Sequence, residues 1–236
     1  MKGAKSAEGF VKILNSAVEG PIFNYFHASC AYHRLATWKR SGKLAEAAGS
    51  LKFSKLNARV QKMIEEGQLH ARELANVIWS SAHLFDEYRD VLDLVPAIVA
   101  QVPDKAKDMN PQELSNVLWA AAKLKDDEPD VVNVVPAIVA QVPDKAKDMI
   151  PQHLSNVLWA AASLKDDAPD VLDLVPAIVV EVPGKAKDMI PQHLSNVLLA
   201  AAKLKDDAPD VLECGACDCG AGPRQGQRYD PTSSVQ

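Results

Sequence analysis

"PQELSNVLWAAAKLKDD" begins at Pro111, "PQHLSNVLWAAASLKDD" at Pro151 and "PQHLSNVLLAAAKLKDD" at Pro191. The spacing is forty residues each time. Residues 111–150 and 151–190 are identical at 31 of 40 positions, and 191–210 matches 151–170 at 18 of 20. One step earlier, 91–110 matches 131–150 at 16 of 20, and "ARELANVIWSSAHL" from Ala71 is an eroded version of the same segment. Four copies therefore start near 71, 111, 151 and 191. Self-similarity at this period marks a stack of supersecondary units, none of which can bury its apolar faces alone.

Within one copy, Leu114, Val117, Leu118, Ala121 and Leu124 follow helical spacing and predict a buried stripe. Asn110 is a good N-cap, Pro111 suits the first helical position, and Glu113 completes a capping box. Ile150 and Ile190 replace that cap in the next copies, where His153 and His193 replace the Glu. "KLKDD" ends the helix, and "EPDVVNVVPAIVAQV" begins a second one with Pro129 near its first turn. Pro136 predicts a kink or split in its middle, and Pro143 starts a last short turn. No run alternates with period two, so strands are not expected. The expected fold is all-α: an α-solenoid of about four 40-residue helix-pair repeats spanning 67–212. Residues 1–66 read as a divergent helical N-terminal repeat or cap, and 213–236, rich in Gly, Ser and Pro, as a disordered tail.

Of the 236 residues, 47% are hydrophobic and 24% charged, the balance of a core-forming chain. Aromatics are scarce at 6%. No uninterrupted apolar stretch reaches membrane-spanning length, so no membrane partner is expected. The opening "MKGAKSAEGFVKIL" lacks the long apolar core of a secretory signal and reads poorly as a transit peptide. Net charge is −5 but uneven: +4 over residues 1–90, −8 over 91–210 and −1 beyond. Such asymmetry marks an interaction face. Cys30 stands alone, while Cys214, Cys217 and Cys219 crowd together without a fourth ligand, which is neither a disulfide framework nor a complete zinc set. A reducing compartment follows.

Catalytic signatures are missing. There is no phosphate loop, nucleophile elbow or zinc-protease helix, and His153 and His193 share one repeat position. The "DD" pairs at 126–127, 166–167 and 206–207 read as helix ends. Neither an enzyme nor a cofactor is expected.

Binding is a better fit. Positions 112, 116, 119 and 123 lie on one side of the helix. They read Gln112, Asn116, Trp119, Lys123; then Gln152, Asn156, Trp159, Ser163; then Gln192, Asn196, Leu199, Lys203; and in the eroded copy Arg72, Asn76, Trp79, His83. Amide and basic groups presented once per unit suit reading of single-stranded RNA bases, and Trp suits stacking. The same Asn series would also serve as a ladder between repeats, and the Trp series as packing. A second candidate is the basic segment 34–62, with Arg34, Lys39, Arg40 and Lys43 in front and Tyr32, His33 and Trp38 beside it. Basic groups near aromatics are the footprint of a phosphate-backbone contact. The Lys pairs 105/107, 145/147 and 185/187 could line one edge.

The motif "NPQELSNVLWAAAKL", preceded by "RELANVIWSSAHL", resembles the repeat helix of octotricopeptide-repeat proteins. It is equally similar to repeats of FAST-kinase-like and RAP-domain proteins, and to the helical-repeat subunit of the kinetoplastid RNA-editing substrate-binding complex. The likeness covers roughly 22–210. It implies a non-catalytic RNA-binding protein of mitochondria or chloroplasts, acting in transcript or ribosomal RNA processing, stability or editing, with other proteins of such a complex as further partners. Gln112, Asn116 and their equivalents carry over as candidate base readers. The unit here is 40 residues, and a cysteine-rich tail follows the repeats where a RAP domain would stand, so no nuclease-like activity carries over. The alternative is a protein-binding scaffold of the HEAT or armadillo kind, with an acidic groove for a basic or apolar peptide.

Overall fold

Helix starts and stops account for much of the architecture. The structure, a computed structural model, describes residues 6–44, 53–208 and 211. Helix α1 (Ala7–Ala17) starts on Ser6, whose hydroxyl accepts from the Gly9 N–H. Helix α2 (Tyr25–Arg40) starts on Asn24, which forms a capping box with His27. Gly42 stops it at φ +71°, letting the Lys43 N–H reach the Trp38 carbonyl. Helix α3 (Phe53–Glu65) stops the same way at Gly67, φ +69°. A residue with a Cβ is strained there, and glycine is not.

The repeated helices are α4 (Ala71–Leu84), α6 (Pro111–Leu124), α9 (Pro151–Leu164) and α12 (Pro191–Leu204). Asn110 accepts from the Glu113 N–H at 3.0 Å while the Glu113 carboxylate accepts from the Asn110 N–H at 2.9 Å, the box expected from the sequence. Ile150 and Ile190 provide no side-chain cap. Leu114, Val117, Leu118, Ala121 and Leu124 are all buried, as the periodicity predicts.

The second half of each unit departs from one expectation. Pro129–Val134 is a 3₁₀ segment, Val135–Val139 is the short helix α7, and Val142–Lys145 is the single turn α8, followed by 3₁₀ residues 146–148. Pro136 sits in the first turn of α7, where a missing N–H has no helical partner to lose. The break falls instead at Ala140–Gln141, ahead of Pro143, which cannot donate to a preceding turn. The following unit repeats the pattern in α10 (Val175–Val179) and α11 (Val182–Lys185). In the first unit the matching stretch is one continuous helix, α5 (Val95–Lys105), with Pro103 inside it.

The described residues are all-helical, without a strand. Helices α2, α4, α6, α9 and α12 pack side by side in that order. Small residues at Ala120, Ala121, Ala160 and Ala161, all fully buried, let the helix axes approach closely. Three ion pairs of 2.7 Å, Arg89–Asp127, Lys125–Asp167 and Lys165–Asp207, bridge successive units and end on equivalent aspartates. Lys125 and Lys165 share a repeat position, whereas Arg89 stands four residues beyond its counterpart, Phe85. The Lys145 ammonium donates to the carbonyls of Lys107 and Met109, and Lys185 donates to those of Lys147 and Met149. At the near end, buried Tyr32 donates to Asn57, whose amide donates to the Asp90 carbonyl, fixing α2 to α3 and to the 3₁₀ segment after α4. On α12 the face that its predecessors bury is open: Leu118 is fully buried, whereas Leu198 is 45% exposed. The expected tail at 213–236, with Cys214, Cys217 and Cys219, lies outside the described residues, as does 45–52 of the basic segment.

Candidate nucleic-acid interface

Equivalent positions on parallel helices place equivalent side chains in a row. The rings of His33, Trp79, His83, Trp119 and Trp159 form such a row across α2, α4, α6 and α9. Successive centroids are 5.4, 4.3, 4.6 and 6.2 Å apart. His33 stacks on Trp79 at 23° and His83 lies tilted against Trp119 at 31°. Cations stand over the row. The Arg40 guanidinium is 5.6 Å from Trp79, and the Lys123 ammonium lies 5.9 Å from Trp119 and 5.3 Å from Trp159. The three tryptophans are half-buried, so each packs against a neighbour and shows an edge or face to solvent. Stacking between units and an exposed aromatic surface are here one structure.

Burial, reinforced by neighbouring cations, favours the neutral form of the two histidines in that row. Burial lowers the His33 pKa, and the nearby Arg40 and Arg72 lower it further. Burial, then Arg40, Lys39 and Lys123, bring His83 down to about 4, with Asp86 opposing.

Beside the row lies a groove of about 970 Å³ between α1, α2, α4 and α6. Five predicted residues, Arg34, Arg72, Asn76, Gln112 and Asn116, line it together. Arg34 sits 4.7 Å from the Trp38 centroid and 5.2 Å from that of Phe10, a sandwich that fixes its guanidinium. Asn76 donates to Ser29 Oγ at 3.1 Å, while Asn116, Asn156 and Asn196 make no side-chain hydrogen bond among the described residues. The asparagine series is therefore not a continuous ladder. Lys123 and Lys203 line a second, shallower hollow of about 610 Å³ with Trp159 and Ser163. Gln152, Asn156, Gln192 and Asn196 line neither hollow and occupy the corresponding face of α9 and α12; both glutamines are exposed and both asparagines half-buried.

The basic segment is less unified than its sequence suggests. Arg34, Lys39 and Arg40 belong to α2 and Lys43 to the turn after it, but Lys55, Arg59 and Lys62 belong to α3. There Lys55 pairs with Glu19, Lys62 with Glu66, and Arg59 donates to the Phe23 carbonyl. Lys39 is engaged by Asp86 at 3.4 Å and Glu87 at 3.8 Å. Tyr32 is fully buried and presents no ring. Of the lysine pairs, Lys145 and Lys185 serve backbone carbonyls, while Lys107, Lys147 and Lys187 remain exposed.

The sequence reading missed Phe10, Cys30 and Glu73, which also line the main groove. Phe10 comes from α1, far from the repeats, and nothing in its own sequence signals that placement. Glu73 had a readable signal. It stands at the capping-box position of α4, but its N-cap is His70 instead of Asn, so the box cannot form. No group of three metal-ligating side chains occurs among the described residues, and no described helix is long and apolar enough to cross a membrane. No family model matches the chain, and no curated protein is detectably similar to it.

Proposed function

We propose that this protein is a non-catalytic α-solenoid of about four helix-pair repeats that binds single-stranded RNA along the face carrying the ring row. The observation that carries this reading is that row itself: aromatic groups spaced one or two per helix, with Arg40 and Lys123 poised over them. Bases of any sequence stack on such rings, and phosphates are met by the exposed cations. Amide and guanidinium groups in the adjacent groove then add selectivity. The resemblance of the repeat helix to octotricopeptide-type and related repeats supports an organellar setting, with transcripts or ribosomal RNA of mitochondria or chloroplasts as targets.

Retention of labelled single-stranded RNA on filters across a salt series tests this. Binding falls linearly on a log–log plot as phosphate contacts are lost, and the Arg40/Arg72/Lys123→Ala variant shows a slope shallower by roughly 2. An intact helical spectrum with no RNA retained at low salt refutes the reading. It leaves the protein-scaffold alternative, in which the acidic balance of residues 91–210 receives a basic peptide.

A further inference from the structure

Glu73 and Glu113 occupy the same position in successive repeated helices, and both are 8% exposed and line the main groove. Their environments differ in one respect. Glu113 is satisfied by Asn110, which gives it a backbone N–H at 2.9 Å and a side-chain amide at 2.8 Å. In the preceding helix the capping residue is His70, whose ring packs edge-on against Tyr25 at 5.3 Å instead. The Glu73 carboxylate makes no hydrogen bond or ion pair among the described residues. The start of α4 favours negative charge there, but its oxygens still lack donors. The residue is buried, but its carboxylate oxygens are not among the buried atoms left without a partner: they open onto the groove, where a ligand that donates to them takes the place of water.

The surrounding groups define the donor. Exposed His33 and half-buried Trp38 supply ring surface, Arg34 (held against Phe10 and Trp38) and exposed Arg72 supply cations, and Asn76 and Asn116 supply amides. A planar ligand with two adjacent donors on one edge and acceptors on the other matches this set. Among RNA bases only guanine has it. Its N1–H and exocyclic amine point one way, and O6 and N7 accept on the other side, where arginine is the usual partner. Adenine and cytosine would turn a ring-nitrogen acceptor toward the carboxylate, and uracil offers one N–H flanked by two carbonyls. Both arrangements are repulsive to an acceptor-only group.

We propose that the groove between α1, α2, α4 and α6 is a guanine-selective nucleotide subsite, with the Glu73 carboxylate accepting from the N1–H and exocyclic amine of the base. This rests on the RNA-binding reading and names what one part of the surface selects.

Fluorescence anisotropy with labelled oligouridine RNAs tests it. The central nucleotide is uridine, adenosine, guanosine or inosine, the last lacking only the exocyclic amine. The expected result is that guanosine binds about tenfold tighter than inosine, the scale of one hydrogen bond to a charged group, and tighter still than adenosine. In Glu73→Gln the guanosine advantage shrinks to little or nothing while the all-uridine RNA binds as before. Equal binding of all four RNAs by the unaltered protein overturns the subsite and leaves RNA binding standing. So does a guanosine preference that Glu73→Gln does not alter. Failure to bind any of them at low salt overturns both readings. The inosine comparison needs no variant, so it holds even if Glu73→Gln folds poorly.

Discussion

Lys125 and Asp167 meet at 2.7 Å across 42 residues of chain, and Lys165 repeats the contact with Asp207. The hydrogen bond to Asp167 is the main cause that raises the Lys125 pKa. A lysine raised in the folded state contributes stability that is complete below its ordinary pKa and lost as pH climbs through the folded value. The pair is therefore fully formed at neutral pH. Because Asp167 is 43% exposed, water and salt screen it. A double-mutant cycle on Lys125→Ala and Asp167→Ala should return a coupling of about 0.5 kcal/mol that fades in high salt. A coupling of several kcal/mol would mean the pair is less hydrated than its exposure indicates.

Leu118 and Leu198 share one repeat position but not one environment. Leu118→Ala should cost about 2–5 kcal/mol in chemical denaturation, and Leu198→Ala less than about 0.5 kcal/mol. Equal costs would show that another surface covers α12.

The N-caps make a gain-and-loss pair. Asn110→Ala removes a working capping box and should cost about 1 kcal/mol. Ile150 holds nearly the same backbone conformation, φ −77° and ψ 165° against −80° and 172°, and its side chain is 52% exposed. Ile150→Asn with His153→Glu installs the box that α6 already has, and should raise the melting temperature. No rise would mean that His153, whose Nδ1 is buried without a partner, has a packing role that the Glu cannot fill.

His83 should make the fold acid-sensitive. Its folded pKa is about 4, below the ordinary imidazole value of 6.5. Between those values the unfolded chain binds more protons than the folded one. Stability from the neutral ring is therefore complete above pH 6.5 and lost as pH falls toward 4. His83→Leu should flatten that part of the melting-temperature profile relative to the unaltered protein. Identical profiles would exclude this histidine as a source of the acid sensitivity.

Cys30 lines the groove and is exposed. With Cys214, Cys217 and Cys219 changed to Ser, alkylation of Cys30 by a bulky maleimide should weaken RNA binding, and bound RNA should slow the alkylation. Mass spectrometry of the modified peptide gives both rates. An alkylation rate indifferent to saturating RNA would place the ligand elsewhere.

Much of the fold could be read because its causes are local. The apolar stripe from Leu114 to Leu124, the Asn110–Glu113 box and the Ile150 and Ile190 starts each depend on residues within a turn or two. Relationships between units were harder to read. His33 meets Trp79 although residues 25–40 do not follow the forty-residue register, so no sequence offset announces the contact. Lys145 and Lys185 look like surface charge until their ammonium groups are seen on carbonyls of the preceding unit. The face carrying Gln112, Asn116, Trp119 and Lys123 was legible from helical spacing alone. The groove beside it was not, because Phe10 enters from a helix outside the repeats.

From α6 onward the contacts joining one unit to the next are repeated in kind: Lys125 to Asp167 and then Lys165 to Asp207, Lys145 and then Lys185 to carbonyls of the unit before. Such a joint does not record which two copies it connects. A whole forty-residue segment can therefore be inserted or removed between α6 and α9 with every junction still satisfied. In a chain assembled this way, the length of the stack is inherited as a copy number, adjustable by unequal recombination without inventing a new contact.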